Sequence, residues 1–331
     1  MRRGSNKKAV IISAIIAGLM FVPILFRAQI ASFADTLHDQ QLARDFNIDA
    51  KPEIKQIEDA IDLTDKAKTI FRASRPQLLD SYDFNIACPT ATREVYLLGC
   101  FDQEAKTISI YHLDDTELRG IIENTMAHEF LHAVWARKSD EERLTLRDKL
   151  YKVLDSSQKL QTELSLYPDD QKLDELFARA GTEVANLPDE LSAEYAKYFI
   201  SHDKIIAFYQ SYSSKFDEIT AQRDQMKQVV SAKESEVQAL QAEFIKNRAA
   251  FERAVERYNY LSSTSYDYNS LYNMYNALIE QRDAVEAEMA QLNAKIDEFN
   301  RLVDQYNTLN SNLGELYQKI NSHSDTFEGD W

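Results

Sequence analysis

The sequence predicts an α+β chain that is mostly α. Gly 7 and Pro 6 are few for 331 residues, which favours long helices over turn-rich sheet. Stretches rich in β-forming residues are confined to residues 84–112. From Phe216 onward the apolar residues fall alternately three and four apart, the spacing of a coiled coil. These observations together describe a small domain with a short antiparallel sheet, followed by a long antiparallel coiled-coil hairpin.

The chain opens on Arg2, Arg3, Lys7 and Lys8, ahead of an apolar run from Ala9 to Phe26 that Arg27 closes. The run is about one bilayer thick, and positive charge before it keeps the N-terminus cytoplasmic and delivers the remainder of the chain to the other side. Residues 1–27 therefore read as a transmembrane anchor, the mark of a single-pass cell-membrane protein with an extracytoplasmic body. The alternative is a cleaved signal peptide ending near Ser32-Phe33-Ala34, although the run is longer than a usual signal core. A net charge of -16, with no basic cluster beyond the first eight residues, excludes nucleic acid as a partner.

Residues 28–50 carry no sustained periodicity and read as a linker with at most one short helix. Ile54, Ile57, Ile61, Ala67 and Ile70 keep a helical spacing that stops before Arg75-Pro76. Strands are expected at Phe84 to Cys88, Glu94 to Phe101 and Thr107 to His112. A helix is expected next from Asp115 or Thr116 to Arg137, and further helices over about 140–154, 170–185 and 188–211. Cys88 and Cys100, the only cysteines, are equally compatible with a disulfide and with two thiols.

Beyond this body, one apolar register runs from Phe216 to Leu261 and a second from Leu278 to Ile320. Ser262 to Asn269, rich in hydroxyl and amide side chains that compete with helical hydrogen bonds, separates them as a turn. Each arm would be a rod ~65–70 Å long, with Arg223, Lys233 and Asn247 interrupting its seam. Such a rod could recruit a partner helix or self-associate.

Chemistry concentrates at His128-Glu129-Phe130-Leu131-His132, an HExxH sequence in an amphipathic helical stretch. Histidines four apart on a helix lie on one face a turn apart, where both imidazoles can share a tetrahedral Zn2+. Glu129 then projects toward the open position, where it can take a proton from metal-held water and return it to a leaving amine. A third protein ligand must come from downstream. Lys138 and Trp135 stand where a metzincin needs His and Gly, so a glutamate is the remaining common solution. Glu175 opens a helical run whose neighbours Leu176, Phe177 and Ala180 can pack it against the motif helix; Glu183, Glu190 and Glu194 are its rivals. Tyr195, Tyr198 and His202 are candidate donors to an oxyanion, and His112 is a weak ligand candidate.

HEFLH, with ELFAR some forty residues later, resembles the gluzincin pattern, in which a glutamate in an E-x-F-A type segment completes the metal site. Over residues 54–200 the order of elements is similar to the compact minigluzincin core. The resemblance implies a zincin-like metallopeptidase domain, bounded at 51–211; the three/four apolar spacing places the hairpin over 212–322 and leaves a tail over 323–331. It favours Glu175 over Glu183 as third ligand and implies hydrolysis of a peptide or protein substrate, docked on the exposed edge of the strand Thr107 to His112. A reading from another class is a non-catalytic surface protein, structural or adhesive, that acts through its coiled coil.

Overall fold

The computed structural model describes residues 27–89, 98–115, 118–264 and 267–320. The apolar run Ala9 to Phe26 and the tail 323–331 lie outside them; within them no helix is long and apolar enough to cross a membrane. The described residues divide into two compact units, one within 27–213 with 319–320, the other within 214–318.

The first unit begins with α1 (Arg27–Asp45), a full helix where the sequence suggests a linker. Its sequence shows no apolar stripe because the helix is held partly by charge. Asp39 is buried and accepts from Arg137 Nε at 2.7 Å and Nη2 at 3.1 Å, a bidentate pair. The helical spacing expected over residues 54–70 is divided into α2 (Pro52–Ala60) and α3 (Asp65–Ala73). Between them Asp62 has φ 54° and Thr64 caps α3 by accepting from Ala67 N.

β1 (Gln77–Leu79) is absent from the sequence reading, being too short after Pro76 to show alternation. The strand expected at Phe84 to Cys88 is instead α4 (Ser81–Ala87), because Asp80 caps a helical turn through Asp83 N at 2.9 Å. β2 (Gly99–Asp102) and β3 (Thr107–Tyr111) are antiparallel as expected, but β1 pairs with β3 in parallel, in the order β1-β3-β2. The sheet is thus mixed rather than antiparallel. A disulfide joins Cys88, just after α4, to Cys100 on β2.

The central element is α5 (Ile121–Ala136), which carries the HExxH sequence. Ile121, Met126, Ala127, Phe130, Leu131, Ala133, Val134 and Trp135 are all buried, so the helix is covered on most sides, as its apolar composition demands. The sheet lies against it on one side and α8 (Lys172–Glu183) on another. Close approach of α8 requires Gly181, where a Cβ would come within 2.5 Å of both Leu131 Cδ1 and Tyr195 Cε1. Phe177, fully buried, tightens the contact, its ring 5.1 Å from both Trp135 and Tyr195.

Before α8 come α6 (Asp140–Asp155), opened by a Ser139–Glu142 capping box, and the short α7 (Gln158–Leu164). After it, α9 (Asp189–Tyr195) ends early, so the helix expected over 188–211 is interrupted. Tyr198 O accepts from Thr64 N and Ile200 N donates to Asp62 O, drawing this stretch into a bridge between Leu63 and Phe199. α10 (His202–Thr264) then runs unbroken, with no Gly or Pro in its length.

In the second unit, α10 faces α11 (Tyr268–Lys319) with antiparallel pairing. Phe216 meets Tyr317, Lys233 reaches Glu298 at 3.1 Å, Asn247 donates to Glu288 at 2.9 Å and Tyr258 meets Tyr275. Lys233 and Asn247, interruptions of the apolar seam in sequence, thus make polar contacts between the arms. Among the described residues α10 extends to Thr264 and α11 begins at Tyr268, bounds that both fall inside the expected turn.

A buried polar knot ties the end of α5 to the bridge region. Lys138 Nζ donates to Glu194 at 2.5 Å and to Tyr198 Oη at 2.9 Å, and Tyr198 donates to Glu194 at 2.9 Å. Burial alone would raise the Glu194 carboxyl, but Lys138, Lys197 and Tyr198 outweigh it and bring it down to about 2. A depressed carboxylate contributes stability that is present above its ordinary value, near 4.5, and lost as pH falls through the folded value. On the order of 2–3 kcal/mol of folding stability should therefore disappear between about pH 4.5 and pH 2. Urea unfolding across that window measures it, and Glu194→Gln is expected to unfold more easily at neutral pH and to show a flatter acid limb.

Candidate metal centre

Helical geometry sets the first half of the site. His128 and His132 stand one turn apart on α5, ring centroids 4.9 Å apart, with Nε2 atoms separated by 3.1 Å. The first turn of α8, held against α5 by Gly181 and Phe177, delivers Glu175. Its Oε1 lies 3.7 Å from His128 Nε2 and its Oε2 3.4 Å from His132 Nε2. One ligand atom from each residue falls within 4.8 Å of the others. Donors about 2.0–2.1 Å from a tetrahedral ion sit about 3.3 Å from one another, so this triangle fits a divalent metal. Two imidazoles and one carboxylate are a donor set that suits zinc.

Each ligand is held from behind. His132 Nδ1 lies 2.8 Å from Asp174 Oδ1, which turns Nε2 toward Glu175 and the metal position. Glu175 Oε1 accepts from Arg179 Nε at 2.5 Å, and Arg179 Nη1 also reaches Glu163 and Glu183, both at 3.0 Å. Burial lowers the His128 imidazole, more than Glu175 raises it, so this ring is held in the neutral form a metal needs. At His132 burial also pulls downward, but Asp174 and Glu175 outweigh it and hold the ring well above its ordinary value. Burial would raise Glu175, yet the two imidazoles hold it well below the usual carboxylate range. Glu175 is therefore held anionic beside a His132 ring that favours its charged form, and a metal binding there would displace that proton.

The triad opens on a cleft of about 340 Å³ whose lining includes Glu129, Gly99, Phe101, Tyr167 and Gln171. Glu129 is buried on α5, and β2 passes close to it only because residue 99 is glycine. A Cβ there would come within 2.8 Å of Glu129 Cγ, Ile110 Cδ1 and Thr125 Cγ2. Cys88 and Cys100 also line this cleft, so their disulfide fixes the wall facing the triad.

Of the carboxylates weighed in sequence, Glu175 is the one brought to the histidines. Glu183 instead meets Arg179, and burial pushes it up to about 6 despite that partner. Glu194 belongs to the Lys138 knot, and Glu190 is exposed. The three donor candidates face elsewhere: Tyr195 donates to Phe177 O, Tyr198 to Glu194, and His202 Nε2 lies 2.9 Å from Gly181 O. His112 is exposed and lines a different groove. The docking edge expected on Thr107 to His112 is a correction: β3 is the central strand, hydrogen-bonded on both sides, and the strand along the cleft is β2.

Sequence reasoning missed Asp174, Arg179 and Tyr167. Asp174 and Arg179 stand one residue before and four after Glu175 and can be found by helical spacing once the ligand is chosen; Tyr167 carries no such mark. Comparison with protein-family models, with curated proteins and with solved structures yields no match to this chain.

Loss of the carboxylate behind His132 should loosen the metal without removing a ligand. Asp174→Asn is expected to weaken zinc affinity about 10–100-fold, and Glu183→Gln less than about threefold, as read by competition with a chromophoric chelator.

Proposed function

We propose that the protein is a zinc-dependent metallopeptidase, acting as an endopeptidase on an internal bond of a peptide or protein substrate. The observation that carries this reading is the convergence of His128, His132 and Glu175 with the Glu129 carboxylate beside them on the same cleft. The two imidazoles and Glu175 would hold the ion. Zinc, when bound, supplies Lewis acidity toward a carbonyl oxygen and lowers the pKa of water. Glu129 accepts the proton of the attacking water and returns it to the amine nitrogen as the carbon–nitrogen bond breaks. Gly99 allows β2 to close on Glu129, and an extended peptide laid along β2 would bring its carbonyl over the same spot.

The rest of the chain fits a tethered enzyme. The apolar run Ala9 to Phe26 with positive charge ahead of it supports a single-pass membrane anchor and an extracytoplasmic body. A disulfide between Cys88 and Cys100 suits an oxidising compartment. The three/four spacing of α10 and α11, with their antiparallel pairing, supports a coiled-coil hairpin open to self-association or to a partner helix. A purely structural or adhesive role leaves the place of Glu129 beside the triad without a reason.

The purified full chain should carry one zinc per molecule and cleave members of a quenched fluorescent peptide library. Glu129→Gln should retain the zinc and lose on the order of 10²–10⁴-fold in kcat. Full activity in that variant, or wild-type protein without stoichiometric zinc, would sink the reading.

A further inference from the structure

The turn end of the helical hairpin differs in composition from the arms that lead to it. Tyr258, Tyr260, Tyr266, Tyr268, Tyr272 and Tyr275 fall within 258–279, and Asn, Ser and Thr make up most of the remainder. Asp267 is the one charged residue of that stretch, although both arms carry charge along their length and the chain has a net charge of -16. Tyr268, Tyr272 and Tyr275 are 78%, 58% and 50% exposed.

On α11 the separations between Tyr268, Tyr272, Tyr275 and Ile279 are four, three and four residues, which sets them in one line along a face of the helix. At about 100° per residue, a second line through Leu271, Met274 and Leu278 lies about a quarter-turn away. Those three are half-buried, as a seam against α10 requires. Tyr275 also reaches α10, its ring 6.2 Å from that of Tyr258. On the other side the tyrosine line is bordered by Asn269, Asn273 and Asn276. The hairpin thus uses one apolar line of α11 and leaves the tyrosine line largely exposed.

A second line at three/four spacing is a surface that a further helix covers, and charge and size say which helix. Lines that select a foreign helix are bordered by charges that choose it. This one is bordered by amides, which donate and accept alike and so match a copy of themselves. An acidic chain meets its own copy most easily where charge is scarce, which is here. A buried tyrosine contributes about 150–250 Å², so the three at their exposure offer about 300–450 Å² per copy. That is short of the ~800 Å² per partner of a stable complex. So small a contact serves partners already held at high local concentration, as copies tethered to one membrane are; this step rests on the anchor reading above. We propose that the tyrosine line of α11 is a self-association site, at which the hairpin tips of two copies pack antiparallel about a two-fold axis between Tyr272 and Tyr275. Tyr272 of each copy then faces Tyr275 of the other, and Tyr268 faces Ile279.

The test is sedimentation equilibrium of the full chain in density-matched detergent, which needs no membrane and so stands or falls apart from the anchor reading. Wild type should dimerise with a Kd of about 10–100 µM, the weak association that a contact of this size supports. Tyr272→Glu and Tyr272→Arg, both at an exposed position and expected to leave the helical circular dichroism unchanged, should each weaken the dimer more than about 10-fold. An equimolar mixture of the two variants should recover it, because opposite charges then meet beside the axis. Ile245→Glu, at an exposed apolar residue of α10 outside the line, should leave the Kd within about twofold. Wild type that stays monomeric at about 500 µM leaves the line to another occupant and overturns the assignment. A dimer that Tyr272→Glu does not weaken, or a mixture that does not recover it, overturns it equally.

Discussion

The constraint on which the site depends is that α8 must cross α5 closely enough for one carboxylate to meet two imidazoles. A helix can place His128 and His132 side by side unaided, but it cannot add a third ligand in the same plane from its own backbone. The third ligand has to come from a second helix, and the separation is set by the side chains between the two. Gly181 removes the one that would hold the helices apart, and Phe177 fills the remaining space between Trp135 and Tyr195. Glu175 sits at the first turn of α8, so a small change in that crossing would swing it away from the metal position. Core packing and ligand geometry are therefore one problem in this protein.

Bringing these groups together creates an electrostatic cost that the surroundings offset. A buried carboxylate is costly unless it is hydrogen-bonded or paired. Glu175 has Arg179 behind it and the imidazoles before it, and Arg179 is in turn shared with Glu163 and Glu183. One guanidinium thus serves three carboxylates. Burial, with the neighbouring carboxylates adding less, leaves Glu183, the more deeply enclosed of the outer two, with a carboxyl raised to about 6.

Legibility in the sequence divides along a physical line. Groups related by a single helix were legible: the pairing of His128 with His132 and the place of Glu129 both derive from the 3.6-residue repeat, whereas spacing could not separate Glu175 from Glu183 and only likeness to a motif favoured it. Features that depend on local capping or on two distant segments were not. Asp80 converts the β-forming stretch at Phe84 into a helix through one hydrogen bond, and Asp39 holds α1 in place through Arg137, 98 residues away in sequence. The central position of β3 is set by β1, a three-residue strand too short to announce itself by alternation.

Tyr195 and Tyr198 mark the limit of that legibility most clearly. Their place in the sequence, shortly after the helix that bears Glu175, makes them natural donors to a substrate, yet their hydroxyls are consumed in holding α8 and the Lys138 knot. A hydroxyl already committed to a protein acceptor can serve a substrate only by breaking that bond, and such a commitment belongs to three-dimensional packing and has no counterpart in residue order.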